Sequence, residues 1–173
     1  DVDDRLVAVQ VKASSSLRTW PRSSAFALIS KLARSGHVVV GITDWPGEEE
    51  QFRRDGWKEY DRVLWTGGRL GIRQVAAVVN RAHLAILPDS AFCLIAGALG
   101  VPMIGLFGAF DGAQRLQYYD QSRTRWIQGG SHLACAPCYQ HVGECQRGGT
   151  KSAPCMQSID VGSVMQIVKE MIA

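Results

Sequence analysis

With 173 residues, 46% of them hydrophobic and 20% charged, the chain has the size and make-up of one globular domain with its own core, not of a disordered segment. Nineteen Lys and Arg against 16 Asp and Glu leave a formal charge of +3, too slight an excess to argue for nucleic acid, and no block of five like charges occurs. No apolar stretch reaches the length of a membrane span, and the acidic opening DVDDRLVAVQ is unlike a secretory leader. The expectation is a soluble cytosolic protein, at most peripheral at the inner membrane, and the opening Asp in place of Met suggests a chain that starts mid-sequence.

In chain order, Leu6–Val11 is β-rich and reads as the first strand, followed by a polar loop over Ala13–Arg22. Ser23 or Ser24 is expected to cap a helix that runs to about Ser35, with Gly36 ending it. His37–Ile42 is a second strand, Trp45-Pro46-Gly47 a turn, and a short helix covers Gln51–Arg54. The run Glu48-Glu49-Glu50 reads as the solvated start of that helix, favoured by the macrodipole. Arg62–Trp65 is a strand, Ile72–Arg81 a helix, Leu84–Leu87 a strand, Phe92–Leu99 a helix and Val101–Phe107 a strand. Arg125–Ile127 forms one more short strand, and Val161–Ile172 a closing amphipathic helix. This alternation predicts an α/β fold, an open parallel sheet with helices on both faces and right-handed crossovers. Residues 1–173 read as one domain, with an irregular segment over 129–156 that holds four of the five cysteines.

Ligands of such sheets bind beyond the carboxyl ends of the strands. Three exits carry suitable residues: Lys12, Ser14, Ser15, Ser16 and Arg18 after the first strand, Asp89-Ser90-Ala91 after the fourth, and Gly108 and Asp111 after the fifth. A helix start with free amides and a hydroxyl suits phosphate, and Lys12 or Arg18 would neutralise a diphosphate across the cleft. The plainer reading is that Asp89 or Ser90 is only an N-cap and that the basic residues are merely exposed. No glycine-rich dinucleotide fingerprint or Walker loop is present.

Taken together, ASSSLRTWP (13–21), DSAFCLIAGALGVP (89–102), IGLFG (104–108) and the tail from Cys135-Ala-Pro-Cys138 through Cys155-Met156 to Val164 resemble the C-terminal domain of glycosyltransferase family 9, the ADP-heptose:lipopolysaccharide heptosyltransferases. The resemblance implies a Rossmann-like GT-B half that binds an ADP-heptose-like nucleotide-sugar donor. A separate domain, absent here, would hold a glycan or lipid-linked acceptor and supply the base. It further implies that Ser14 and Ser15 approach the phosphates and that Arg18 stands where the family has lysine, stabilising the departing diphosphate. Glu48 would bind the nucleoside, and Asp89, Ser90 and the Ala91 amide the sugar-phosphate end. Transfer would be inverting and need no cofactor. The family's glycine after Asp-Ser is Ala91 here, and its histidine three residues further on is Leu94.

Cys135, Cys138, Cys145 and Cys155, spaced Cys-x2-Cys-x6-Cys-x9-Cys, form a candidate thiolate site for structural zinc or iron, a reading supported by some relatives in that family. The alternative is four reduced thiols packing a loop; His132 and His141 are expected to be exposed, with His141 able to replace one thiolate. Cys93 reads as a core residue. At the level of function, the alternative to a donor domain is a non-catalytic, degenerate GT-B module used for binding or assembly.

Overall fold

The computed structural model describes residues 5–57, 60–140, 143–147 and 153–172. The chain alternates β1 (Leu6–Gln10), α1 (Arg22–Arg34), β2 (Val38–Ile42), α2 (Glu48–Arg54), β3 (Val63–Trp65), α3 (Ile72–Arg81), β4 (Leu84–Pro88), α4 (Ala91–Ala98), β5 (Met103–Phe107), α5 (Gly112–Leu116) and β6 (Thr124–Gln128), then closes with α6 (Pro154–Gln157) and α7 (Val161–Met171). The strands form one parallel sheet in the order β3-β2-β1-β4-β5-β6. The predicted α/β architecture is therefore the one observed.

Strand periodicity sorts the core into two layers. Val7, Val9, Val39, Leu84, Ile86, Ile104 and Leu106 face one side, where Phe26, Leu28, Ile29 and Leu32 of α1 meet Val164 and Val168 of α7. Ala8, Val40, Ile42, Ala85, Leu87, Met103 and Phe107 face the other, under Val75 and Val79 of α3 and Cys93 and Ala96 of α4. Both faces are covered, which is why the strands read as nearly continuous apolar runs. β1 lies between β2 and β4, so the winding of the chain reverses there, and a crevice opens where the loops after β1 and β4 diverge.

Three local expectations are corrected. α1 begins at Arg22 with Pro21 in the N-cap position and no side-chain cap, so neither Ser23 nor Ser24 serves. Proline presets the backbone angle at the helix entry. α2 begins at Glu48, three residues earlier than read, and Glu48 is buried, not solvated. α5 and α6 were not anticipated; at five and four residues they are too short to show a period, and each is fixed from its flank. Asp111 caps α5 by accepting from the amides of Ala113 and Gln114, at 2.8 and 3.3 Å.

After β6, Ala153, Cys155, Met156 and Ile159 join the core layer of α1 and α7. Gly129 lies so close to Cys155 that a Cβ there would strike its carbonyl oxygen. Further on, Trp20 links this segment to the loop after β1. Its indole is buried, and Nε1 donates to the Ile159 carbonyl at 3.0 Å, 139 residues away in sequence. Trp20→Phe would leave that carbonyl buried and unpaired, so the variant is expected to lose about 1–3 kcal/mol of stability. Urea unfolding with an unchanged slope and a lower midpoint is the expected result; an unchanged midpoint would show that the bond contributes nothing.

Candidate functional site

The loop from Lys12 to Trp20 is wound tightly on itself. The Thr19 hydroxyl accepts from the Ala13 amide at 3.2 Å and donates to the Ser15 carbonyl at 2.8 Å, and the Arg18 amide donates to the same carbonyl at 3.1 Å. This coil turns Arg18 toward β4. Its Nη2 donates to Ser14 Oγ at 3.0 Å and its Nη1 to the Asp89 carbonyl at 3.1 Å. Ser14 is exposed to the crevice, whereas Ser15 Oγ is turned to the Leu17 amide at 3.3 Å and Ser16 lines the cavity beside Ser14.

Across the crevice, β4 delivers Asp89 and Ser90 to the start of α4. Ser90 Oγ donates to Gln10 Oε1 at 2.6 Å and accepts from the Cys93 amide at 3.4 Å, so the expected N-cap is present and also joins β4 to the end of β1. Ala91 and Phe92, whose amides belong to the first turn of α4, line the cavity. Cys93 lies beneath them, fully buried, its thiol pushed up to about 12 by burial and by the nearby Asp89 carboxylate. It is a core residue, as read.

Asp89 is buried between two guanidiniums. Arg18 Nη1 stands 3.9 Å from Oδ2 and Arg115 Nε 3.6 Å from Oδ1. Arg115 also lies over the Phe110 ring, 4.6 Å from its centroid. Reading the sequence missed Arg115 because it sits on α5, where nothing in the local pattern distinguishes it from a surface arginine.

At the exit of β2, Glu48 is 1% exposed. Its Oε2 accepts from Thr43 Oγ1 at 3.2 Å, and Arg22 Nε approaches Oε1 at 2.8 Å as an ion pair without the alignment of a hydrogen bond. Thr43 is itself held by Thr66, whose hydroxyl accepts from the Thr43 amide and donates to its carbonyl. Burial raises the Glu48 pKa, partly offset by the Arg22 charge and the Thr43 hydrogen bond.

Two adjoining cavities run through these residues. One, of about 270 Å³, is bounded by Lys12, Ser14, Ser16, Arg22 and Glu48; the other, of about 340 Å³, by Gln10, Thr43, Asp44, Ser90, Ala91 and Phe92. Lys12, Ala13 and Ser14 border both. Leu94, on the first turn of α4, is 37% exposed and borders neither. Among the described residues, the buried side-chain polar atoms without a hydrogen bond are Arg18 Nε, Glu48 Oε1, Asp89 Oδ2 and Arg115 Nε. Such atoms are rare in folded proteins; Glu48 borders the first cavity, and the other three form the Arg18–Asp89–Arg115 triad beside it, which Arg18 joins to the cavity wall through Ser14.

The four-cysteine metal centre is not assembled. Cys135, Cys138, Cys145 and Cys155 do border one small apolar pocket, and the charges of Cys138 and Cys145 reach Cys155, whose thiol is raised chiefly by burial. Their soft donor chemistry would suit zinc or iron, yet among the described residues no three His, Cys, Asp or Glu side chains are arranged to hold an ion. Cys155 is buried at α6, Cys145 is half-buried, and Cys135 and Cys138 are exposed on the loop. All five cysteines are free thiols, His132 is exposed as expected, and His141 lies outside the described residues.

The raised pKa of Glu48 has a sign for stability. The folded protein holds the Glu48 proton more tightly than the unfolded chain, so the stabilisation is present below the ordinary carboxylate range and is lost as pH rises through the folded value. At neutral pH, Glu48→Gln is therefore expected to raise Tm by about 2–4 °C, the shift that ~1 kcal/mol produces in a domain of this size. The gain should vanish when both proteins are melted below the carboxylate range. A lower Tm at both pH values would mean that the Arg22 ion pair outweighs the burial.

The sequence matches the model of glycosyltransferase family 9 (heptosyltransferase) over residues 1–146. It is 28% identical over 113 residues to lipopolysaccharide heptosyltransferase 3 of Escherichia coli, a match spanning 64% of this chain and 33% of that protein. In fold it is similar to E. coli ADP-heptose lps heptosyltransferase II, with a TM-score of 0.75 at 14% identity over 99% of this chain and 47% of that one. It is also similar to E. coli heptosyltransferase WaaC, solved with ADP, at a TM-score of 0.68 and 18% identity over 99% of this chain and 45% of that one. The iron-containing dodecameric glycosyltransferase TibC of enterotoxigenic E. coli aligns with a TM-score of 0.70 at 14% identity, over 97% and 45%. The chain thus spans between a third and a half of the length of these relatives. Among the described residues no helix is long and apolar enough to cross a membrane. The match over residues 1–146 places the chain in glycosyltransferase family 9.

Proposed function

We propose that this chain is the donor-binding half of an inverting, heptosyltransferase-like glycosyltransferase, and that its crevice holds a nucleoside diphosphate sugar related to ADP-heptose. The observation that carries this reading is that the buried polar atoms without a hydrogen bond, at Glu48, Arg18, Asp89 and Arg115, lie at or beside one crevice at the reversal point of the sheet. In keeping with it, similar structures carry ADP or an ADP-heptose analogue.

Glu48 accepts ribose hydroxyls at the β2 exit. Lys12 and Arg18 face the diphosphate with Ser14, and the Ala91 and Phe92 amides add the positive end of α4. Asp89 and Ser90 take the sugar end. In the reaction, an acceptor hydroxyl oxygen bonds to the anomeric carbon as the bond from that carbon to the phosphate oxygen breaks. The electron pair leaves on the nucleoside diphosphate, and the hydroxyl proton passes to a base on the acceptor side. Arg18 and the α4 amides act most strongly on the charge that grows on the leaving group, so they favour the transition state over the bound donor. The step takes no metal. The glycan or lipid-linked acceptor and its base belong to a second domain, so these residues alone should not transfer sugar efficiently.

A second reading, a non-catalytic binding or assembly module of the same fold, is favoured by Leu94 and Ala91. Both are exposed at the start of α4, where the resemblance calls for histidine and glycine.

Calorimetric titration with ADP, UDP, GDP and adenosine separates the two. Saturable binding of one diphosphate is expected. Arg18→Ala should weaken it about tenfold, the equivalent of ~1.4 kcal/mol, while leaving the matching nucleoside unaffected. Glu48→Gln should weaken diphosphate and nucleoside alike. No binding of any nucleotide at millimolar concentration would sink the donor-domain reading and favour the assembly module.

A further inference from the structure

Beside the crevice, on its β5 side, lies a third cavity of about 370 Å³, bounded by Phe110, Asp111, Gln114, Arg115, Gln117 and Tyr139. Its volume is at the small end of the roughly 300–1,000 Å³ range of ligand sites. None of the roles given above uses this cavity. Arg115 links its wall to Asp89, standing 3.6 Å from Asp89 Oδ1, and lies over the ring of Phe110.

The rim is built, not incidental. Tyr139 holds φ at +55°, a left-handed conformation that a bulky side chain rarely adopts. Its amide donates to the Ala109 carbonyl at 2.7 Å, and its ring meets Phe110 edge to face, with centroids 5.8 Å apart. Its hydroxyl donates to Gln114 Oε1 at 3.2 Å, yet the residue remains 45% exposed. Three long-range contacts thus hold one aromatic ring at the mouth of a polar pocket. Around it, Gln114 and Gln117 present planar amides and Asp111 a carboxylate with one oxygen spent on capping α5. Arg115 adds a guanidinium whose buried Nε faces Asp89 and whose residue borders the cavity.

We propose that this cavity is a binding site for a neutral pyranose ring. A pyranose has an apolar face of C–H groups that suits a fixed, half-exposed aromatic ring, and a belt of hydroxyls that each donate and accept. Amide, carboxylate and guanidinium groups satisfy such hydroxyls in pairs. The charges also match an uncharged ligand, because Arg115 and Arg18 are offset locally by Asp89 and Asp111. The inference rests on the proposed function only for the source of the ring, which is either the sugar carried by the donor or a saccharide of the acceptor.

The test titrates the whole chain with methyl α-D-mannopyranoside, following the side-chain amide signals of Gln114 and Gln117 by NMR. Saturable shifts of these signals are expected. Tyr139→Ala should weaken the interaction about tenfold, the size of one lost ring contact together with a hydrogen bond. Tyr139→Phe should restore most of it, and Gln114→Ala, on an exposed helix position, should weaken it while leaving the Tyr139 backbone and its ring contact with Phe110 in place. Affinity for ADP should be unchanged in all three. Displacement of the pyranoside by ADP-glucose but not by ADP identifies the pocket with the donor's sugar, and simultaneous binding identifies it with the acceptor. Pyranoside shifts that map elsewhere, or that survive both Tyr139→Ala and Gln114→Ala, overturn the proposal. Loss of nucleotide binding with pyranoside binding intact would sink the donor-domain reading alone.

Discussion

A carboxylate buried at the end of a central strand must be matched by positive charge, and the layout of this protein follows from how Asp89 is matched. One guanidinium arrives from the loop after β1 and the other from α5, so elements more than ninety residues apart in sequence converge on a single side chain. Neither pair is close enough to be a tight hydrogen-bonded bridge. A bidentate pair would use up the carboxylate and both cations, whereas these long contacts hold the groups in place and leave atoms on each available to another polar partner. The stability contributed by such a loose triad is modest; its value lies in pre-placing charge.

Pre-placement also explains why the loops here are so heavily cross-linked. The Thr19 and Thr66 hydroxyls each close a small ring of hydrogen bonds, one in the loop after β1 and one between the β2 and β3 exits. Gln10 joins Ser90 across the reversal point. These contacts order the backbone before a ligand arrives, so less entropy is lost on binding.

The parallel sheet was legible in the sequence because strands covered on both faces must be apolar, and VVVGI, LAILP and MIGLF are, as is LVAVQ up to its last residue. Asp89, Ser90 and Arg18 were legible because turn and cap chemistry places them at strand ends. What escaped was decided by tertiary contact. Glu48 was singled out by the family resemblance, but its burial was not: it sits in a run of three glutamates that favours solvent, and only the fold shows Arg22 and Thr43 drawing the first of them inside. α5 and Arg115 had no periodicity to announce them. The cysteine spacing suggested a metal centre, but spacing fixes the distance along the chain and not the direction in which a thiol points. In the fold the four cysteines border one small pocket, but among the described residues no three ligating side chains are arranged to hold an ion.

The hydrogen bond from Trp20 to Ile159 ties the loop that carries Ser14 and Arg18 to a stretch beyond residue 146, outside the family-model match. The acceptor in that bond is a main-chain carbonyl, which every amino acid supplies. Point substitutions at residue 159 would leave the anchor in place, whereas a single inserted or deleted residue between α6 and α7 would shift it. The side chain at that position is therefore free of the anchor while the length of the link is not, and a stretch outside the family-model match helps set where the charged groups of the crevice stand.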